Sequence, residues 1–60
     1  MRIYETTCDG YYVVVKDNGV INAYEGFDLC PANVKKQIKE DGARQLDCFY
    51  DEAIKYGYAK

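Results

Sequence analysis

The sequence predicts an α+β fold: a three-stranded antiparallel meander followed by two helices packed on one face of the sheet. Three observations predict it. Tyr11-Tyr12-Val13-Val14-Val15 is an unbroken run of aromatic and β-branched residues, the composition of a strand. The dipeptides Asp9-Gly10 and Asn18-Gly19 stand on either side of it, and each is a hairpin signal beside apolar residues. Beyond residue 29 the apolar spacing changes from alternation to intervals of three and four, the period of an amphipathic helix. A strand with a hairpin at each end is the middle of an antiparallel sheet. The strand order is therefore 1-2-3 and the element order β-β-β-α-α, in one domain spanning residues 1–60.

The strands fall at about residues 2–7, 11–16 and 20–25, with Gly26 closing the third. Two-residue loops at both turns pair Cys8 with Tyr11 and Asp17 with Val20. One face then carries Tyr4, Thr6, Cys8, Tyr11, Val13, Val15, Val20, Asn22 and Tyr24. The other carries Ile3, Glu5, Thr7, Tyr12, Val14, Lys16, Ile21, Ala23 and Glu25. Charge stands only on the second face, so the first faces the helices. A three-residue first loop would reverse the first strand, turning Ile3 inward and Tyr4 outward.

Pro31 suits the start of the first helix, about residues 31–41, with Cys30 or Asp28 before it as a cap. Val34 and Ile38 give this helix a narrow apolar stripe, and Asp41-Gly42 stops it. The second helix is expected at about residues 44–56. Leu46, Phe49, Tyr50 and Ala53 form its apolar face, Asp47, Asp51 and Glu52 lie toward its start, and Lys55 lies toward its end. Asp51 and Lys55 are spaced to pair along that helix. Gly57 ends it ahead of a short tail.

Composition narrows the function. The chain has 60 residues, net charge −2, three cysteines, no histidine and seven tyrosines. A chain this short buries only about 60% of its unfolded surface, so its core is small. Without histidine or a Cys-x-x-Cys pair there is no usual zinc site, and an odd cysteine count suits a disulfide scaffold poorly. No stretch reaches membrane-spanning length, and the first residues lack the apolar core of a signal peptide. The expectation is a soluble cytoplasmic protein with reduced thiols. Cys8, Cys30 and Cys48 read as small buried hydrophobes, with Cys30, just before a helix, closest to a reactive setting.

Catalysis has no foothold in the sequence. Neither a Cys-His nor a Ser-His pair exists, and no glycine-rich phosphate loop is present. No cofactor is expected. What remains is a non-catalytic protein-binding module, in its sharpest form a small acidic inhibitor of a nucleic-acid-handling complex of the phage or mobile-element kind. Ile3, Tyr12, Val14 and Ile21, rimmed by Glu5, Lys16 and Glu25, form the expected partner-binding patch. Glu40, Asp41, Asp47, Asp51 and Glu52 form an acidic patch that would steer the chain to a basic partner. Two alternatives stand beside this. Lys35, Lys36 and Lys39 on the first helix would suit nucleic acid, though the acidic second helix opposes a phosphate backbone. Self-association through the sheet face or an edge strand would make the chain a structural homodimer.

Overall fold

The computed structural model of the chain describes residues 1–55. The α+β class and the meander are as expected. The sheet is larger and differently clothed. Its strands are β1 (Arg2–Thr6), β2 (Tyr11–Val15), β3 (Ile21–Tyr24) and β4 (Arg44–Leu46), in the spatial order β3-β2-β1-β4. A 3-10 turn at Phe27–Leu29 leads to helix α1 (Ala32–Asp41), and helix α2 (Tyr50–Lys55) follows β4. The expected end of the second helix at about residue 56, its glycine stop and the tail lie outside the described residues.

Both hairpins use longer loops than the shortest available, and the consequences differ. Between β1 and β2 the N–H groups of Asp9 and Gly10 both donate to Thr6 O, and Thr6 pairs with Tyr11. Four residues therefore turn the chain, which shifts the expected pairing by two and leaves both strands on their expected faces. Between β2 and β3, Lys16 O accepts from Gly19 N–H and Lys16 N–H donates to Val20 O. This is the three-residue loop in which a turn is closed by a left-handed residue, and Gly19 supplies it with φ of +85°. The pairing shifts by one, so Val15 faces Ile21 and Val14 faces Asn22. One step reverses β3. Ile21 moves to the face of Val13 and Val15, and Asn22 and Tyr24 join Tyr12 and Val14.

The helices do not share a face. Val34 and Ile38 of α1 pack with Ile3, Val14 and Cys30 on one side of the sheet, joined by Tyr12, Tyr24 and Ala43. Tyr50 and Ile54 of α2 pack with Tyr4, Val13 and Val15 on the other, joined by Ile21 and Leu46. The cause is in β2, whose apolar residues point both ways and need cover on both sides. Whether Ile3 or Tyr4 faces the core has a double answer: they are 6% and 4% exposed, one under each helix.

Residues 44–46 correct the expected second helix. They form β4, which runs parallel to β1 with Tyr4 opposite Arg44 and Thr6 opposite Leu46. β3 and β4 therefore run the same way, and α1 crosses one face of the sheet from one edge to the other. Gly42 makes the return. Its φ of +77° and ψ of 177° are open to glycine and strained for other residues, and its N–H caps Ile38 O at 2.8 Å. Satisfying the free hydrogen-bonding edge of β1 outweighs continuing a helical period through Leu46.

Candidate functional site

The expected partner-binding patch is dispersed by this fold. Ile3 and Val14 are buried beneath α1, so they offer no surface. Ile21 lies on the opposite face, against α2's side of the core. Tyr12 is half-buried; its ring meets Phe27 edge-on at 6.2 Å, and its hydroxyl donates to Glu5 Oε2 at 3.1 Å. Glu5 also accepts from Gln45 Nε2 at 2.5 Å, so its carboxylate joins β4 to β2 across β1. Lys16 and Glu25 remain exposed, but the apolar centre they were expected to rim is core.

The acidic residues divide. Glu40 and Asp41 end α1, while Asp47, Asp51 and Glu52 gather at the start of α2 on the opposite side of the sheet. Two further carboxylates complete the second group. Asp9 and Asp51 both act on the Tyr11 phenol, which Glu25 most strongly pushes above its ordinary pKa. The thiol of Cys8 is also pushed up, by partial desolvation first and then by Asp47, Cys48, Glu52 and Asp9. Five carboxylates thus act on one neighbourhood: Asp9, Glu25, Asp47, Asp51 and Glu52.

Asp9 holds this neighbourhood together. One carboxylate oxygen accepts from the hydroxyl of the fully buried Thr6 at 2.6 Å, and the other accepts from Tyr50 N–H at 2.9 Å. Asp9 thereby satisfies a free N–H at the start of α2 from a different part of the chain, where a negative charge also suits the helix dipole. Partial desolvation pulls its carboxyl upward, but the hydrogen bonds from Thr6, Tyr50, Tyr11 and its own N–H outweigh it, and its pKa lies below the ordinary value. Glu52 adds the second cap by accepting from Phe49 N–H at 3.2 Å, half of a capping box. Tyr11 and Tyr50 stack with centroids 4.9 Å apart.

This arrangement leaves Phe49 outside. Expected on the buried face of a long helix, it stands at the cap of a short one and is 53% exposed, with Asp47, Asp51 and Glu52 as near neighbours in sequence. Asp9 and Phe49 are the residues sequence reasoning missed. The signal for Asp9 was its place in a turn; the signal for Phe49 was hidden by the helical spacing that β4 overrode.

The lysines lie across the sheet from this group. Lys35 and Lys39 hold their ammonium groups 5.8 and 5.9 Å from the centre of the Phe27 ring, a cation–π contact that ties the 3-10 turn to α1. Cys30 is buried, its Sγ donates to Gly26 O at 3.4 Å, and burial raises its pKa against the opposing pull of Lys35. It is a core thiol. Among the described residues no cluster of three or more cysteine or carboxylate side chains is arranged to hold a metal ion. No helix among them is long and apolar enough to cross a membrane. Compared with known proteins, the chain matches no family model, no curated protein and no solved structure.

Proposed function

We propose that the chain is a non-catalytic protein-binding module of the cytoplasm that engages a basic surface of another protein through the α2 end of its fold. One observation carries this reading: the exposed Phe49 stands at the start of α2, where Glu52 accepts from its own N–H, Asp9 accepts from the N–H of Tyr50, and Asp47 and Asp51 lie two residues to either side. An aromatic ring is the side chain most often used as an anchor, and surrounding charge steers encounter and selects the partner. A surface built to receive nucleic-acid phosphates has the complementary charge. The sharpest form of the reading is therefore an inhibitor that occupies the basic surface of a nucleic-acid-handling complex.

The experiment compares capture from a cell lysate by the native chain and by two variants, Phe49→Ala and the double variant Asp47→Lys/Asp51→Lys. These side chains are exposed, so the variants retain the native circular dichroism. The expected result is a captured nucleic-acid-binding protein that the native chain releases as salt rises and that neither variant retains. Equal capture by all three would overturn the reading.

A second reading has one favouring observation. Because the helices lie on opposite faces of the sheet, Lys35, Lys36 and Lys39 do not share a surface with the α2 carboxylates. Direct nucleic-acid binding would then appear at low salt and vanish in Lys36→Glu. Lys36 is the right probe because Lys35 and Lys39 also serve Phe27.

A further inference from the structure

We propose that Cys8 and Cys48 form a redox-sensitive clasp, two free thiols that a low-molecular-weight disulfide such as glutathione disulfide converts to an intramolecular bond. The register of β1 and β4 carries the inference. Tyr4 lies opposite Arg44, Glu5 opposite Gln45 and Thr6 opposite Leu46. Two more steps along the same register bring Cys8 opposite Cys48. The strands have ended there, yet the chains stay together: Thr7 N–H donates to Leu46 O at 2.9 Å and Cys8 N–H to Cys48 O at 3.4 Å. With ordinary covalent geometry, that last contact holds the two Cα atoms within about 7 Å, the outer limit for bridging.

A regular ladder is too rigid for most cross-strand disulfides, but both residues stand in turns beyond its end, where small backbone movements are open. Cys8 is exposed, Cys48 half-exposed and Cys30 buried, so the third thiol is excluded from the exchange. Partial desolvation first, and then Asp47, Glu52 and Asp9, push the Cys8 and Cys48 thiols above their ordinary pKa, which lowers the thiolate fraction and slows the exchange. The reaction balances as two exchanges. The Cys8 thiolate attacks one sulfur of the small disulfide, whose S–S bond breaks and releases one thiolate. The Cys48 thiolate then attacks Cys8 Sγ in the mixed disulfide and releases the second. The protein loses two electrons and two protons, and the small disulfide becomes two thiols. Closure fastens the β1–β2 loop to the segment entering α2, a junction otherwise held by Asp9 and by the hydrogen bonds of Thr7 to Leu46 O and of Cys8 to Cys48 O.

The test treats the purified chain with glutathione disulfide at mildly alkaline pH and digests it with trypsin without reduction. Cleavage places Cys8, Cys30 and Cys48 on separate fragments, residues 3–16, 17–35 and 45–55. The expected product is a monomer lighter by two hydrogens, with fragments 3–16 and 45–55 joined and a thermal midpoint raised by about 10 °C. The Cys48→Ser variant should carry glutathione on Cys8 and form no internal bond. In concentrated urea the selectivity for this pair should be lost. Bonds to fragment 17–35, dimers, persistent glutathione on both cysteines, or no reaction in the folded chain would each overturn the proposal.

Discussion

Truncating two adjacent residues of β2 tests the two-sided core directly. Val13 is 0% and Val14 1% exposed, and they point to opposite faces. Replacing either by alanine removes two buried carbons, about 1.6 kcal/mol of transfer free energy at ~0.8 kcal/mol for each. A cavity of roughly 50 Å³ adds about 1 kcal/mol where the surroundings do not collapse into it. Each variant should therefore lose about 2.5 kcal/mol. A domain of this size holds only about 3–9 kcal/mol in all, so both variants fold but melt early, by about 10–20 °C. Thermal unfolding followed by circular dichroism measures this, with urea titration to confirm that the slope is unchanged. Val20→Ala is the control: Val20 is 47% exposed and its truncation should change stability by less than about 0.5 kcal/mol. A single-sided sheet predicts that only Val13 matters. If Val14→Ala melts with the Val20 control, α1 does not cover its face and the core described here is wrong.

Three further outcomes follow from individual residues. Gly42→Ala should cost about 1–3 kcal/mol although open space surrounds the position, because φ of +77° with ψ of 177° is strained for alanine; an unchanged urea midpoint would contradict that backbone. Asp9 has a folded pKa below its unfolded value, so its contribution is present above the ordinary carboxyl pKa of about 3.9 and is lost as pH falls through the lower folded value. Asp9→Asn should accordingly flatten the acid limb of a midpoint-against-pH curve, and an acid limb as steep as the native one would count against the Asp9 cap. Thr6→Val keeps the buried shape but removes the hydroxyl that Asp9 accepts, and should cost about 1.5–3 kcal/mol at neutral pH but less in the Asp9→Asn background.

The parts of the fold that could be read in advance are those set by neighbours in sequence. Alternation and turn dipeptides located β1, β2 and β3, and proline and glycine bounded α1, because these signals act within a few residues. What escaped was decided by competition between distant segments. Whether Asn18-Gly19 closes a two- or three-residue loop is nearly neutral locally, yet it decides which side of the sheet receives Ile21. Leu46 satisfies a helical period and a strand edge equally well; the unpaired edge of β1, 40 residues earlier, decides between them. Both decisions bear on the candidate site. The first, together with α1 crossing the sheet, turned an expected docking patch into core. The second cut the final helix short and left Phe49 at its cap, beside carboxylates that had been legible singly but not as a group with Asp9 and Glu25. A chain whose central strand is apolar on both faces spends two helices covering one sheet, which leaves little apolar surface for recognition. Phe49 is left exposed at the start of α2 by that arrangement, and in the proposed function the carboxylates of that helix start would select the partner that the ring anchors.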